Sequence, residues 1–101
     1  MNYWTMPSVN TKRIKKEQII SNVCEYFHLT KKELLSSYRG KEVTEARSII
    51  AFILHKKLRY SSTKTGEAIN RDHSTVLYFC KKIQGFIEVD KNYKELINNL
   101  I

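Results

Sequence analysis

The chain is poor in the two residues that most often interrupt regular structure. Its 101 residues include one proline and three glycines, which leaves little room for long irregular segments. Hydrophobic residues make up 42 % of the chain and charged residues 28 %, as in ordinary globular proteins. A chain of this length forms one domain with a modest core, and no second domain fits. The composition therefore predicts a single compact, mostly helical domain.

Features of secreted, metal-binding and membrane proteins are also missing. Cys24 and Cys80 lie inside apolar helical patterns and not at paired metal-ligand spacings, so we expect buried thiols in a reducing compartment. No apolar run is long enough to cross a bilayer, and the first residues lack the layout of a signal peptide. No glycine-rich run precedes a Lys-Ser or Lys-Thr pair, as the phosphate-binding loop of an ATPase requires. These absences predict a cytoplasmic protein with no cofactor, no metal and no membrane partner.

Acidic residues are scarce relative to basic ones, and the imbalance is uneven along the chain. The net charge is +8. Residues 83–101 hold two basic and three acidic side chains, a net charge of −1, so residues 1–82 hold 16 basic and 7 acidic ones, a net charge of +9. Basic charge concentrated in one part of a chain is typical of a protein that meets a polyanion such as nucleic acid. A solvated basic surface that only maintains solubility is the alternative.

Hydrophobic periodicity and capping residues predict six helices. Residues 1–10 show no periodicity and are expected to form an N-terminal arm, whereas residues 11–101 form the helical domain. Apolar residues recur at three- and four-residue steps within each segment, and Ser, Thr or Asp stands at several of the starts. The expected helices run from Thr11 to Phe27, after Thr30 to Leu35, from Val43 to Leu58, after Ser61 to Ile69 with an interruption at Gly66, after Asp72 to Phe86 or Val89, and after Asp90 to the chain end. The helix over 43–58 is the most hydrophobic, so we expect it to be the core strut.

The stretch Arg71-Asp72-His73-Ser74-Thr75-Val76 opens the fifth of these helices. Asp72 is expected to cap it, because a carboxylate accepts a hydrogen bond from an unpaired amide of the first turn. The apolar residues assigned to its buried side are Val76, Leu77, Phe79, Cys80, Ile83 and Ile87. The first turn is left polar and offers the mixed donors and acceptors that read base edges in a DNA major groove. A short helix, a tight turn and a longer helix with such a start predict a helix-turn-helix.

Two arginines precede this motif. Arg39 lies with Lys41 in the polar loop before the core strut, and a protruding loop arginine can enter a DNA minor groove. An ordinary charged turn is the alternative. Arg47 stands near the start of the apolar core strut, where it either pairs with a carboxylate such as Glu25 or Glu33 or anchors a phosphate.

Together these residues resemble the signature of the C-terminal DNA-binding domain of the bacterial replication initiator DnaA. The likeness rests on the stretch 71–77, on Arg47 within Ala46-Arg47-Ser48-Ile49-Ile50, and on Ser61 and Gly66, in order and spacing, and it covers roughly residues 14–86. It implies an all-α, Trp-repressor-like fold with a helix-turn-helix that binds double-stranded DnaA-box DNA. Other replication proteins are further partners that the resemblance admits.

The resemblance also implies a role for each matching residue. It assigns base reading in the major groove to Asp72, His73, Ser74 and Thr75, and insertion into the adjacent minor groove to Arg39. It assigns phosphate contacts to Arg47, Ser61, Arg71, Tyr78, Lys82 and Lys41.

The chain departs from the family pattern in three places. Asn70 alone precedes Arg71, where the family usually has two glycines, so the turn is one residue shorter and the recognition helix is expected to enter at an altered angle. Ser62 and Thr65 replace apolar residues, which weakens the apolar anchoring of the first motif helix. Tyr78 replaces a common His and keeps one hydrogen-bond donor for a phosphate. The fold and DNA binding are expected to survive these changes, which leave the exact DNA target open.

Other functional classes fit the sequence less well. Asp72, His73 and Ser74 are acid, base and nucleophile types, but adjacent helical residues point in different directions, so we expect no enzyme. A helical protein-interaction module, docking through the arm or the C-terminal tail, is one alternative, and a transcriptional regulator with a different DNA target is another. A start at Met1 favours a free-standing protein over a piece of a larger one.

Overall fold

The computed structural model describes the backbone of residues 8–101 and the side chains of residues 15–101. Six α-helices and no strand occur in this part of the chain. Their bounds are α1 Ser8–Phe27, α2 Lys31–Leu35, α3 Lys41–Phe52, α4 Ser62–Ile69, α5 His73–Val89 and α6 Lys91–Leu100. The predicted all-α fold is confirmed, and α4, a short turn and α5 form the helix-turn-helix.

The first helix begins earlier than its sequence pattern predicts. α1 starts at Ser8 and not at Thr11, so the predicted arm is wrong over residues 8–10, which are helical. The remaining part of that arm, residues 1–7, lies outside the described residues. Hydrophobic periodicity does not mark the true start, because the added turn carries no apolar stripe.

Capping side chains set the starts of α2, α4, α5 and α6 as the sequence predicts, whereas α3 begins at Lys41, two residues before the predicted Val43, after Gly40 and without a side-chain cap. Thr30 and Glu33 form a capping box, in which the Thr30 hydroxyl accepts from the Glu33 amide at 3.0 Å and the Glu33 carboxylate accepts from the Thr30 amide at 2.8 Å. Ser61 caps α4, and Asp90 caps α6 by accepting from the Asn92 amide at 2.9 Å. Each bond satisfies an amide that the helix itself leaves unpaired.

The predicted core strut is the centre of the molecule. α3 packs against α1, α2, α4 and α5, and α6 closes the core against α5 and α1. Beyond Phe52 the strut continues as a π-helix, Ile53–Lys57, whose wider turn is completed by the bond from the Leu58 amide to the Ile53 carbonyl at 3.0 Å. The largest apolar side chains removed from solvent are Ile19, Val23, Leu34, Val43, Ile49, Ile50, Ile53, Leu54, Ile69, Ile83 and Ile97. Each such side chain stabilises the fold by about 1.5–3 kcal/mol.

Both cysteines are buried and unpaired, as predicted. Burial raises the pKa of the Cys24 and Cys80 thiols, because a low-dielectric environment disfavours the thiolate. The Cys80 thiol also donates to the Ala51 carbonyl at 3.7 Å. These thiols are packing groups of the core.

None of the helices over residues 8–101 combines the length and the hydropathy that a membrane span requires.

Candidate nucleic-acid interface

The N-terminus of α5 carries an exposed polar turn that Asp72 fixes in place. Asp72 has extended backbone angles, and its carboxylate accepts from the Thr75 amide at 2.9 Å, so the predicted cap is confirmed. The Thr75 amide and hydroxyl hold the pKa of Asp72 below its usual range, because they donate to the charged form. Asp72, His73 and Ser74 are exposed and Thr75 is half-buried. The cap thus holds a row of polar groups at a rigid helix end.

The turn that leads into α5 is short and tightly packed. Asn70 adopts the left-handed conformation, with φ 58° and ψ 47°, which asparagine tolerates better than most residues. The Arg71 amide then donates to the Gly66 carbonyl at 2.9 Å. Gly66 is buried, and a Cβ atom there would collide with the Arg71 carbonyl oxygen. The turn therefore crosses α4 at a point where only glycine fits.

The expectation of an interruption at Gly66 is wrong. α4 is continuous from Ser62 to Ile69, and the glycine serves the close approach of the turn. Thr65, one of the polar substitutions in this helix, is fully buried, and its hydroxyl makes no hydrogen bond. The predicted weakening of this anchor has a physical basis, since an unpaired buried hydroxyl opposes burial.

Arg47 is a buried structural residue and does not reach the surface. Its side chain is 1 % exposed. Its guanidinium donates to four main-chain carbonyl oxygens: those of Leu34 at 2.7 Å, Tyr38 at 2.7 Å, Ser36 at 2.8 Å and Glu33 at 3.3 Å. Both predictions for Arg47 are therefore wrong, because its partners are carbonyl groups and not carboxylates, and its donors are unavailable to a phosphate.

These bonds shape the loop that carries Arg39. The Ser36 hydroxyl donates to the Glu33 carbonyl at 2.7 Å and accepts from the Tyr38 amide at 3.2 Å. A Cβ atom on Gly40 would meet the Tyr38 ring, so this ring folds back over the glycine. Arg39 is left exposed at the tip of the loop, where its side chain is free to reach outward.

The loop before α3 and the turn before α5 are directly connected. The Asn70 amide group donates to the Leu35 carbonyl at 3.1 Å. The Arg71 guanidinium donates to the Ser36 carbonyl at 3.1 Å and to the Asn70 carbonyl at 2.7 Å. Two of its five N–H donors are thus used, and the others remain for a ligand. The structure therefore joins the loop that bears Arg39 to the turn that leads into α5, which the sequence alone did not show.

Electrostatics reinforce this arrangement. The pKa of Arg47 is lowered first by burial, then by the positive charges of Arg71 and Arg39. The positive charges of Arg39 and Arg71 thus both act on the buried Arg47 guanidinium from this corner of the molecule.

The outer face of α5 continues the polar surface. Tyr78 is 62 % exposed, and the Lys82 ammonium lies 6.0 Å from the centre of its ring and 5.5 Å from that of Phe79. These cation–π contacts place the ammonium near both rings. Leu77, which was assigned to the buried side, is 49 % exposed. That assignment is wrong, because Leu77 lies one helical turn after His73 on the outward face.

Two further predicted residues lie at helix starts. Ser61 is exposed, and its hydroxyl accepts from the Lys64 amide at 3.1 Å, so the hydroxyl proton is free to donate. Lys41 is the exposed first residue of α3, two positions after Arg39. Within residues 15–101 no three His, Cys, Asp or Glu side chains come together as a metal site requires.

Comparison with known proteins decides the family. A family model described as the bacterial dnaA protein helix-turn-helix matches residues 16–83. The chain belongs to this DnaA helix-turn-helix family. The family predicted from the stretch 71–77 is thereby confirmed.

Individual relatives agree with the DnaA assignment. The chromosomal replication initiator protein DnaA of Bacteroides fragilis (strain YCH46) is 34 % identical over 91 residues, which cover 89 % of this chain and 19 % of that protein. DnaA of Thermodesulfovibrio yellowstonii is 34 % identical over 97 residues, 95 % of this chain and 22 % of that protein. DnaA of Buchnera aphidicola subsp. Baizongia pistaciae is 38 % identical over 89 residues, which cover 87 % of this chain and 18 % of that protein. The chain thus spans about a fifth of the length of the curated relatives it matches.

Proposed function

We propose that the chain is a sequence-specific reader of double-stranded DNA at DnaA-box-like sites, acting in replication initiation or its regulation without hydrolysing ATP. The observation that carries this proposal is the exposed, Asp72-capped first turn of α5, held beside the loop that bears Arg39. A helix N-terminus with polar side chains fits a major groove, and an arginine beside it fits the adjacent minor groove.

In this proposal the first turn of α5 distinguishes base pairs. Asp72 offers its carboxylate, which also accepts from the Thr75 amide, to a cytosine amino group. His73 and Ser74 supply donors and acceptors beside it, and Thr75 adds a hydroxyl and a methyl group. Leu77 extends the same face with an apolar contact suited to a thymine methyl group.

Phosphate contacts flank this turn in the same proposal. Arg71 keeps free N–H donors, the Ser61 hydroxyl proton is free at the start of α4, and Lys41 is exposed beside the Arg39 loop. Tyr78 and Lys82 present a hydroxyl and an ammonium group further along α5. These groups supply the electrostatic share of binding, which is independent of sequence and falls with salt.

Two matched pairs of variants test this division of roles. His73→Ala is expected to weaken binding to the preferred duplex by about 1–3 kcal/mol and to blur its sequence preference. His28→Ala, which removes an exposed histidine at the end of α1, is the control. It is expected to leave the affinity for the preferred duplex and the sequence preference unchanged. Identical discrimination by the His73→Ala variant and the parent contradicts base reading by this turn.

Lys82→Ala is expected to weaken specific and random duplexes alike and to reduce the salt slope of binding by about 1. Lys91→Ala, an exposed lysine on α6, is the matched control. Equal slopes for the parent and the Lys82→Ala variant contradict the phosphate contact.

A further inference from the structure

We propose that Asn70 is a positioning residue that fixes the distance between Arg39 and α5, the recognition helix of the helix-turn-helix. At this distance Arg39 contacts the minor groove while α5 reads the adjacent major groove. This inference rests on the proposed function and adds a residue that contacts protein and not DNA. It starts from the side-chain hydrogen bonds that join the turn before α5 to the residues after α2.

Asn70 meets two demands at once. Its backbone adopts the left-handed conformation that ends α4, which a glycine would also adopt. Its side chain donates to the Leu35 carbonyl at 3.1 Å, across 35 residues of sequence. A glycine keeps the turn and loses this bond. The Asn70 side chain therefore connects the turn before α5 to the end of α2.

The tie reaches Arg39 through a short and rigid path. Ser36 follows Leu35, and its carbonyl accepts from Arg71 at 3.1 Å and from the buried Arg47 at 2.8 Å. Arg47 also holds the Tyr38 carbonyl at 2.7 Å, and the Tyr38 peptide group is the one that leads into Arg39. The loop is thus held from the core side by Arg47 and from the turn side by Asn70 and Arg71.

Geometry explains why the position of Arg39 must be controlled. An arginine that enters a minor groove while a helix occupies the neighbouring major groove has to span one phosphate backbone. Two contacts on a rigid frame bind without an added ordering penalty, whereas a loosely held loop must be immobilised on binding. The hydrogen bond from the Asn70 side chain supplies such a constraint on the segment that leads to Arg39.

The test removes the tie and keeps the turn. Asn70→Gly deletes the amide group and retains the left-handed backbone. His28→Gly is the matched control, because His28 also has a positive φ, 57°, at the end of α1. We expect Asn70→Gly to weaken binding to the preferred duplex by about three- to tenfold, the effect of one net hydrogen bond, and His28→Gly to leave it unchanged.

Double variants identify which contact is lost. The double variant Asn70→Gly/Arg39→Ala is expected to bind within about twofold of Arg39→Ala alone, because the tie acts through Arg39. Asn70→Gly/His73→Ala is expected to show the product of its two single effects. The reverse pattern, additive with Arg39 and non-additive with His73, overturns the inference and assigns Asn70 to the angle of α5 instead.

Modified base pairs give a readout that a loss of stability cannot imitate. A diaminopurine·thymine pair adds a minor-groove amino group to A·T and leaves its major-groove pattern intact, whereas inosine·cytosine changes the major groove and keeps an A·T-like minor groove. The parent is expected to lose about tenfold in affinity on diaminopurine substitution at the position that Arg39 enters. Asn70→Gly is expected to reduce this penalty to about twofold and to keep the inosine penalty unchanged. An unchanged diaminopurine penalty overturns the inference.

A measurement without DNA separates this inference from the proposed function. The backbone order parameters of Arg39 and Gly40 are expected to fall from about 0.85 toward about 0.6 in Asn70→Gly and to stay constant in His28→Gly. Constant values in both variants overturn the positioning role whatever the DNA target is. A further outcome is that the loop loses order in Asn70→Gly while the parent protein shows no sequence preference for DNA. This outcome would reject the proposed function, and Asn70 would then order the loop without a role in DNA binding.

Discussion

Alanine substitutions at two helical glycines are expected to change stability in opposite directions. Gly66 and Gly85 both lie inside helices, α4 and α5, and neither has a positive φ. In an ordinary helix interior, glycine to alanine stabilises by about 0.5–1 kcal/mol, because alanine loses less backbone entropy on folding. This gain applies to both positions, so any difference between the variants reports their surroundings.

Those surroundings differ sharply. A Cβ atom at Gly85 has no heavy-atom neighbour within 4 Å. A Cβ atom at Gly66 would overlap the Arg71 carbonyl oxygen. It would also lie 3.3 Å from the carbonyl carbon of Arg71 and 3.4 Å from that of Asp72. These are main-chain atoms, so the turn itself has to move. Overpacking of this kind costs about 1–3 kcal/mol.

The expected free energies follow from these two terms. Gly85→Ala is expected to raise the free energy of unfolding by about 0.5–1 kcal/mol. The free energy of unfolding of Gly66→Ala is expected to lie about 1–3 kcal/mol below that of Gly85→Ala. Urea denaturation followed by circular dichroism measures both values, with an unchanged m-value as the check that the two unfolded states are equivalent. Gly66→Ala should also weaken specific DNA binding, because the displaced turn positions α5. Equal stabilisation by both substitutions would refute the close approach of the turn to α4.

Three further predictions concern buried groups. Arg47→Ala should destabilise the fold by about 3 kcal/mol or more, because it removes the donor to the Leu34 and Tyr38 carbonyl groups and opens a cavity. A loss below about 1 kcal/mol in urea denaturation would contradict these bonds. The pKa of Tyr93 is raised by burial and by Glu45, whose carboxylate accepts from its hydroxyl at 3.3 Å. The stabilising contribution of the neutral Tyr93 hydroxyl is therefore complete below pH ~10 and is lost as the pH rises further. The Tyr93→Phe variant should lose less stability than the parent between neutral and alkaline pH. Equal losses by the two proteins would refute this prediction. Cys24 and Cys80 should react with a thiol reagent only after unfolding, and rapid labelling of the native protein would contradict their burial.

The features that the sequence predicts correctly are local ones. The caps at Thr30, Ser61, Asp72 and Asp90 form between residues two or three positions apart, so residue type and spacing are sufficient to predict them. The hydrophobic period that assigns residues 43–58 to the core is likewise a property of one segment. The family signature in residues 71–77 condenses several such local requirements.

The predictions that fail depend on contacts between segments. Arg47 binds carbonyl groups of α2 and of the loop after it, 9 to 14 residues earlier in the chain. Every residue type has a carbonyl, so no sequence pattern identifies these partners. Leu77 is a different kind of failure: it has the polarity of a core residue, yet it lies on the outward face of α5. A stricter helical wheel would have detected this, since His73 and Lys81 on either side of it are both exposed.

The candidate site combines both kinds of feature. The polar first turn of α5 and the basic loop are each visible in the sequence, and each has a role that the family resemblance implies. Their proximity depends on Asn70 and Arg71, whose side chains bond to the end of α2. A side-chain bond between a turn and a loop 35 residues apart has no periodic signal, so only the structure shows that the two parts form one surface.

The most direct test of the account is a fluorescence anisotropy titration of the chain with a labelled DnaA-box duplex and a shuffled duplex, each at two salt concentrations. We expect a clear preference for the box, with affinity for both duplexes falling steeply as salt rises. Equal affinity for the two duplexes would contradict sequence-specific reading of this site, and absence of binding to either would contradict a DNA-binding role for this surface.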